Sequence, residues 1–124
     1  MCGIAGYIGT KNLENYKIRK TLNLMINRGP DSQSWIKLEK ENFNVFLLHS
    51  RLSIIDLDKR SNQPFKYEKY IIVFNGEIYN FIEIRKNLSK LGYKFLTNSD
   101  TEVLLFAYIE YGEHCVEYFN GMWS

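Results

Sequence analysis

Two short runs of continuously apolar residues constrain the fold of this chain more than any other feature. Phe46–Leu48 and Ile71–Phe74 contain no polar side chain, and both are predicted to be β-strands. A strand with one face in water alternates apolar and polar residues, whereas a continuously apolar strand is covered on both faces. The sequence therefore predicts stacked layers, either sheet against sheet or a sheet between helices.

The first half of the chain is predicted to form a strand, a helix and three further strands. Four apolar residues between Ile18 and Ile26 recur at helical spacing and indicate one buried helix face. Arg28–Ser32 has the chemistry of a turn, and Asp58–Asn62 that of a polar loop. The predicted bounds are Cys2–Ile8 for the first strand, Leu13–Ile26 for the helix, and Ser34–Leu38, Phe43–Leu48 and Tyr70–Phe74 for the other strands.

The second half alternates helix and strand. An apolar stripe predicts a helix that stops at Gly92, and Ser99 with Glu102 forms a capping box that opens another helix. A short helix over Glu113–Phe119 follows, and Gly121–Ser124 is expected to start another core strand. The stripe consists of Phe81, Ile84, Leu88 and Leu91, and the expected core face of the second helix consists of Val103, Leu104, Ala107, Tyr108 and Tyr111.

Size, composition and charge exclude several classes of protein. The chain has 124 residues, of which 45% are apolar and 24% charged, values that suit one globular domain. No run approaches the ~18 apolar residues of a membrane span, and the N-terminus has no signal-peptide pattern, so a cytoplasmic location is expected. The net charge of +2 is spread along the chain, so no nucleic-acid partner is expected.

The cysteines and histidines indicate neither a disulfide framework nor a metal site. Cys2 and Cys115 are far apart and belong to no Cys-x-x-Cys pair. His49 and His114 add too few closely spaced ligands for structural zinc. Cys115 is therefore predicted to be a small buried apolar residue on a helix.

Cys2 has two interpretations. A small residue after Met1 predicts removal of the initiator by methionine aminopeptidase, which leaves Cys2 with both a thiol and a free α-amine. Because the α-amine has a reference pKa of about 7.7–8.0, it can act as a base near neutral pH. Nucleophile and base would then come pre-assembled, as in Thr N-terminal hydrolases. The alternative is an ordinary cysteine at the start of a buried strand.

The Asn75-Gly76 pair is also ambiguous. Asn-Gly between two apolar runs is the strongest short signal for a tight hairpin turn. The same residues offer an unhindered backbone N–H and a side-chain amide, and two such donors can form an oxyanion hole for a tetrahedral intermediate. Both interpretations remain open at this stage.

Further candidate residues carry charge. Arg51 can bind a carboxylate through two hydrogen bonds or be a solvated arginine at a strand end. Asp100 can accept a substrate ammonium or interact with the helix dipole, and Glu77 can add to that negative site or face water. His49 is interpreted as packed at a strand end rather than as part of a Cys–His dyad. Cys2, the Asn75-Gly76 pair, Arg51 and Asp100 would together provide a nucleophile with its base, an oxyanion hole, a carboxylate-binding group and an ammonium-binding group, which are the parts needed to hydrolyse free glutamine.

The motifs resemble a known family in order as well as content. They are similar to the class II glutamine amidotransferases, which are N-terminal nucleophile hydrolases. Arg-Gly-Pro-Asp-Ser, Arg-Leu-Ser-Ile-Ile-Asp-Leu and Phe-Asn-Gly-Glu-Ile-Tyr-Asn have the forms of the asparagine synthetase branch. The matching blocks are Met1–Gly6, Arg28–Ser32, His49–Leu57, Asn62–Phe65, Phe74–Asn80, Ser99–Glu102 and Asn120–Trp123.

The resemblance implies a role for each candidate. Cys2 attacks the side-chain amide of glutamine to form a thioester and release ammonia, while the Asn75 amide and the Gly76 N–H stabilise the oxyanion. The implied substrate-binding residues are Arg51 for the α-carboxylate, Asp100 for the α-ammonium, Glu77 to help close the site, and Leu52 and Ile54 to line the pocket.

The resemblance also implies an architecture and partners. The expected fold is an α+β, four-layer αββα sandwich, and residues 1–124 correspond to one amidotransferase domain that is incomplete at its C-terminus. In full-length relatives, a synthetase domain uses ATP and Mg²⁺ to convert aspartate to asparagine, and these relatives can form homodimers. That domain is absent from this sequence, for which no cofactor of its own is expected.

Two alternatives remain open for the function. The glutaminase could supply ammonia to a sugar or peptide acceptor, as other asparagine-synthetase-like amidotransferases do. The chain could also be a non-catalytic remnant that binds a partner.

Overall fold

A computed structural model describes residues 2–124, which form a mixed α+β arrangement with small antiparallel sheets. Two segments are 3₁₀-helical, Lys59–Ser61 and Gly112–Tyr118. The α-helices are α1 (Asn15–Leu24), α2 (Phe81–Lys90) and α3 (Asp100–Tyr111). The strands are β1 (Gly3–Gly9), β2 (Ser32–Glu39), β3 (Asn44–Arg51), β4 (Phe65–Tyr67), β5 (Tyr70–Ile72), β6 (Gly76–Ile78) and β7 (Gly121–Trp123).

The chain divides into two compact units. The first consists of the residues up to Ser53 together with Asn62–Asn75, and the second of Ile54–Ser61 together with Gly76–Ser124. The chain passes from the first unit to the second between Asn75 and Gly76. Each unit is described below by itself.

The first unit is built on a three-stranded antiparallel sheet with the order β1-β3-β2. Gly3 lies opposite Ser50 in the β1–β3 pair, and Ser32 lies opposite Arg51 in the β2–β3 pair. Helix α1 covers one face of this sheet, with a core made of Ile18, Leu22, Phe46 and Leu48. The central strand β3 therefore supplies two of the four core residues.

Strand β3 is covered on both faces, as its apolar sequence predicts. Phe46 and Leu48 face α1, whereas His49 and Arg51 point to the opposite side because side chains alternate along a strand. His49 is fully buried and Arg51 is only 6% exposed, although both are polar. A polar side chain is buried in this way when it has hydrogen-bond partners, and those partners define the candidate site.

The second apolar run, Ile71–Phe74, is less buried than the prediction of a strand covered on both faces requires. Only Phe74 is buried, while the residues of β5, Tyr70–Ile72, are half-buried. Strand β5 pairs with β4 in a two-stranded hairpin, and β4 has no counterpart among the predicted elements. Its three residues, Phe65–Tyr67, are too few to show a period, so no pattern predicts this strand separately.

The second unit contains α2, α3 and the β6–β7 pair. Ile84 and Leu88 of α2 are buried as predicted, whereas Leu91 lies after the helix and is 55% exposed. Gly92 has φ of 100°, a left-handed conformation that suits a glycine helix stop. The strand expected to start in Gly121–Ser124 corresponds to β7, but Met122 and Trp123 are 51% and 41% exposed rather than in the core.

Helix α3 confirms its predicted start but corrects its predicted core face. The Ser99 side chain accepts a hydrogen bond from the Glu102 N–H, as an N-cap should. Tyr108 is 47% exposed, whereas Leu105 and Phe106, which were not predicted, are buried with Val103 and Ala107. Because most of α3 is apolar all round, residue spacing alone cannot select its buried face.

Residues 2–124 contain neither a membrane-spanning helix nor a cluster of potential metal ligands. None of the helices there is long and apolar enough to cross a membrane. The same residues include no cluster of three or more His, Cys, Asp or Glu side chains that could hold a metal ion.

Candidate active site

Cys2 lies immediately before β1, with its thiol held at the end of β3. The Leu52 N–H donates a hydrogen bond to Sγ at 3.4 Å, and Sγ lies 3.7 Å from the Leu52 carbonyl oxygen. The Arg28 Nε donates to the Cys2 carbonyl oxygen at 3.0 Å. Cys2 is a free, half-buried cysteine. The predicted removal of Met1 concerns a residue outside those that the structure describes, and it remains a prediction.

The loop before β2 forms hydrogen bonds both with the residue before β1 and with the end of β3. Besides the Arg28 contact to Cys2, the Asp31 N–H donates to the Arg51 carbonyl oxygen at 3.0 Å. The Asp31 carboxylate accepts a hydrogen bond from the Ser53 N–H at 2.7 Å. The local pattern of Arg28–Ser32 predicts only a turn, because hydrogen bonds to distant backbone groups leave no trace in the neighbouring sequence.

Gly29 allows this loop to approach β3. A Cβ at this position would overlap the Ser50 carbonyl and lie 2.6 Å from the Arg51 nitrogen. We expect Gly29→Ala to destabilise the protein by about 3 kcal/mol, because backbone atoms must move to admit the methyl group. Urea denaturation measures the change.

Gly6→Ala is the matched control for this prediction. Its methyl group would lie 3.3 Å from the Phe46 carbonyl oxygen, so a slight shift accommodates it. We expect a change within about 1 kcal/mol of zero. Equal destabilisation by the two substitutions would contradict the close approach at Gly29.

Arg51, the last residue of β3, is not the solvated arginine of the alternative interpretation. It is 6% exposed, and its Nη1 donates to the Asn62 Oδ1 at 2.7 Å. Asn62 belongs to the Asn-Gln-Pro-Phe block, which the sequence analysis matched but gave no role. A guanidinium held by such a hydrogen bond is restricted in orientation, as binding of a carboxylate through two hydrogen bonds requires.

The hairpin interpretation of Asn75-Gly76 is wrong. A two-residue hairpin turn of this sequence needs φ > 0 at both positions, and neither residue has it. The flanking strands also pair elsewhere, β5 with β4 and β6 with β7. Gly76 is required for another reason, since a Cβ there would lie 2.6 Å from the Trp123 Cα.

The residue before Asn75 is held by two buried side chains. The Phe74 N–H donates to the Gln63 Oε1 at 2.6 Å, and the His49 Nε2 lies 3.3 Å from the Phe74 carbonyl oxygen. Burial lowers the pKa of His49 from 6.5 to about 4; the hydrogen bond to Phe74 opposes this shift, and the charge of Arg51 adds to it. His49 is therefore neutral at pH 7, as a packed histidine should be.

The lowered pKa of His49 predicts a loss of stability in acid. The unfolded chain takes up a proton as pH falls through 6.5, whereas the folded chain takes it up only near pH 4. This contribution is present above pH 6.5 and is lost as pH falls to about 4. Its size is about 3 kcal/mol. Between pH 7 and pH 4, we expect the free energy of unfolding of His49→Gln, measured by urea denaturation, to fall by about 3 kcal/mol less than that of the wild type.

His114→Gln is the control, since His114 is exposed and pairs with Glu117 on the surface. We expect it to keep the acid sensitivity of the wild type. If His49→Gln and the wild type lost stability in parallel, titration of His49 would not be the cause.

In the second unit, Asp100 begins α3 and is buried. Its Oδ2 accepts a hydrogen bond from the Ile78 N–H at 3.1 Å. Burial raises the pKa of Asp100; backbone hydrogen bonds from Ile78 and Thr101 oppose the shift, and the nearby charge of Glu77 adds to it. A buried carboxylate with a raised pKa gains from a cation beside it. An ammonium group on a substrate is such a cation.

The loop that leads to Asp100 is held by two carboxylates that sequence reasoning missed. Glu102 is fully buried and accepts hydrogen bonds from the Leu96 N–H and from the N–H and hydroxyl of Thr97. Its side chain therefore does not return to Ser99, as a complete capping box would require. The Asp56 Oδ2 accepts a hydrogen bond from the Asn98 N–H at 2.7 Å. The Ser99–Glu102 block predicted a capping role for Glu102, but not its hydrogen bonds with Leu96 and Thr97.

The structure thus places the eight predicted site residues in two groups. In the first unit, Cys2 contacts Leu52, and Arg51 adjoins Leu52 in the chain. In the second unit, Glu77 interacts electrostatically with Asp100, and Ile54 is 60% exposed. The first group is Cys2, Arg51, Leu52 and Asn75, and the second is Ile54, Gly76, Glu77 and Asp100.

A family model described as "Glutamine amidotransferase domain" matches residues 1–124, the whole of this sequence. The chain therefore belongs to the glutamine amidotransferase domain family, and the resemblance found in its motifs is confirmed.

The curated relatives of the chain indicate which branch of the family it resembles. The chain is 42% identical over 131 residues to glutamine-hydrolyzing asparagine synthetase 1 of Bacillus subtilis (strain 168), covering 100% of this chain and 20% of that protein. It is 39% identical over 128 residues to the Brassica oleracea enzyme, covering 100% and 21%. It is 36% identical over 141 residues to putative asparagine synthetase 2 of Methanocaldococcus jannaschii, covering 100% and 27%. The chain spans about a fifth to a quarter of the length of these relatives.

Proposed function

We propose that this chain hydrolyses glutamine to glutamate and ammonia through a thioester on Cys2. The observation that carries the proposal is the Cys2 thiol, held by the Leu52 N–H beside the buried Arg51. It occurs in a chain that the amidotransferase family model matches from end to end.

The proposed chemistry begins with proton transfer from the Cys2 thiol to its own α-amine, once Met1 has been removed. The sulfur attacks the side-chain amide carbon of glutamine, and the Asn75 side-chain amide with the Gly76 N–H stabilises the oxyanion. The C–N bond then breaks, the α-ammonium returns its proton to the nitrogen, and ammonia leaves. Water attacks the resulting thioester, releasing glutamate and restoring the thiol.

In the proposed recognition of glutamine, charged side chains bind its α-carboxylate and its α-ammonium. Arg51 binds the α-carboxylate with two hydrogen bonds, and Asp100 accepts the α-ammonium. The raised pKa of Asp100 supports this role, because a bound ammonium favours the ionised carboxylate that burial disfavours. Glu77 adds negative charge near Asp100, and Leu52 and Ile54 line the pocket.

At the level of the whole protein, we propose that the ammonia is used to make asparagine. The names of the curated relatives support this, since they are glutamine-hydrolyzing asparagine synthetases. An ATP- and Mg²⁺-dependent synthetase domain or subunit, which adenylates aspartate, is then the required partner, and the full-length form is a homodimer. The finer fold we propose is the four-layer αββα sandwich, which is consistent with the doubly covered β3.

The experiment that tests the proposed function measures glutamate and ammonia produced from glutamine by protein whose intact mass shows loss of Met1. We expect equal amounts of the two products, with no ATP required. Absence of turnover in correctly processed, folded protein would contradict the proposal and favour a non-catalytic binding role. Supply of aspartate, or of a sugar or peptide acceptor, together with ATP then identifies the acceptor in the whole protein.

A further inference from the structure

The backbone on both sides of Phe74 is held by side chains rather than by a neighbouring strand. Residues 73–75 lie between β5 and β6 and belong to neither. Phe74 is 5% exposed, so its N–H and carbonyl need hydrogen-bond partners. Gln63 accepts from the N–H at 2.6 Å, and the His49 Nε2 lies 3.3 Å from the carbonyl oxygen.

These two bonds fix two successive peptide planes. The Phe74 N–H belongs to the plane shared with Val73, and the Phe74 carbonyl belongs to the plane shared with Asn75. Because a peptide unit is rigid and planar, fixing its carbonyl also fixes the Asn75 nitrogen and Cα. With those two atoms fixed, only rotation about the Asn75 N–Cα bond remains, and sterics allow few values of that angle. His49 and Gln63 therefore restrict the directions in which the Asn75 side chain can leave the backbone.

The hydrogen-bond partner of His49 shows which of its two ring nitrogens carries the hydrogen. A carbonyl oxygen can only accept a hydrogen bond, so Nε2 carries the hydrogen in the neutral ring. His49 Nδ1 is buried and has no hydrogen-bond partner among residues 2–124. Neither ring nitrogen is therefore bonded to the Cys2 thiol, and His49 is not part of a Cys–His dyad in this structure.

We propose that His49 and Gln63 are positioning residues that orient Asn75 for oxyanion stabilisation. The inference rests on the proposed function, in which Asn75 donates to the tetrahedral intermediate. An oxyanion donor acts mainly in the transition state, and its value depends on being held in place before the reaction. Misplacing Asn75 should therefore lower kcat and leave the KM for glutamine nearly unchanged.

The test compares substitutions that remove or preserve each bond. His49→Leu removes the donor to Phe74, whereas His49→Gln retains an N–H donor in a neutral side chain. Gln63→Met fills a similar volume without an acceptor. We expect kcat to fall roughly 10- to 100-fold in His49→Leu and Gln63→Met, less than the 10²–10³-fold loss of a whole oxyanion donor. His49→Gln should recover most of the loss, and His114→Leu, at an exposed histidine, should behave as the wild type.

A double-mutant cycle separates positioning from general destabilisation. If His49 acts through Asn75, His49→Leu should lower kcat by no more than about twofold in the Asn75→Ala background. An equal fall in both backgrounds would overturn the proposal. So would a rise in KM with kcat unchanged, because that pattern indicates lost substrate binding. If His49→Leu does not fold, the same cycle is run with Gln63→Met.

A second measurement does not depend on activity. In NMR amide exchange, Gln63→Met should accelerate exchange at Phe74 by at least about tenfold, because its N–H loses its acceptor. His49→Leu should shift the Asn75 backbone and side-chain amide signals, while Leu48, inside β3, stays protected. Unchanged Phe74 and Asn75 signals in both variants would overturn the positioning role. If the wild type released no ammonia while these signals changed as expected, the proposed function alone would fail.

Discussion

Replacing Cys2 with alanine should reduce ammonia release from glutamine by roughly 10⁴-fold or more, the order of effect seen when an enzyme loses its nucleophile. The Cys2 sulfur is the side-chain atom that is proposed to form a covalent bond to the substrate. Alanine at position 2 still permits removal of Met1, so the α-amine remains available. A coupled assay for glutamate measures the effect, and thermal denaturation checks that the variant is folded.

Cys115→Ala is the matched control. Cys115 is the other free cysteine and is buried in the 3₁₀ segment Gly112–Tyr118, where burial raises the pKa of its thiol. We expect glutaminase activity to persist and only stability to change. Full activity of Cys2→Ala, or loss of activity in a folded Cys115→Ala, would contradict the assignment of the nucleophile.

Arg51→Lys should lower kcat/KM for glutamine by about 30- to 1000-fold. The lysine keeps the positive charge but cannot form two parallel hydrogen bonds to a carboxylate. This corresponds to roughly 2–4 kcal/mol, within the range for breaking a buried charge pair. Most of the change should appear in KM, because the α-carboxylate is bound equally before and during the reaction. Arg60→Lys is the control, since Arg60 is exposed and pairs with Asp58.

Asp100→Asn extends this prediction to the α-ammonium. We expect a similar loss in kcat/KM, although asparagine can still accept the hydrogen bond from the Ile78 N–H. Because burial raises the pKa of Asp100, the wild-type carboxylate becomes less favourable to folding as pH rises from 3.8 through its higher folded-state value. The stability of Asp100→Asn relative to the wild type should therefore increase over that window. In the whole protein, ammonia-driven synthesis should survive both substitutions; an equal loss with ammonia would contradict these roles.

The features that sequence predicted well are those with a local or periodic signal. The apolar run Phe46–Leu48 predicted a strand covered on both faces, and Ser99 predicted the start of α3. Three-residue strands such as β4 and β6 are too short to show a period, so they were missed. The core face of α3 was partly wrong because Leu105, Phe106 and their neighbours are all apolar.

The parts of the candidate site that sequence missed depend on contacts between distant residues. Asn75-Gly76 has the local chemistry of a hairpin turn, and it is excluded by the backbone angles of the two residues and by the pairing of β5 with β4 and of β6 with β7. The bonds from Arg28 to Cys2 and from Gln63 to Phe74 join residues far apart in the chain. Such bonds are set by the tertiary fold, so no spacing rule along the chain could reveal them.

The pairing of β1 with β3 has a consequence for protein synthesis. Gly3 pairs with Ser50, so the first strand cannot complete its ladder until the ribosome has made its partner. At typical elongation rates of about 5–20 residues per second, Ser50 is added roughly 2–10 s after Gly3. Until Ser50 has also left the ribosome, the first strand has no partner, so folding cannot cover the N-terminal segment. The long separation between the two strands thus gives the initiator methionine time to be removed before folding restricts access to the amine.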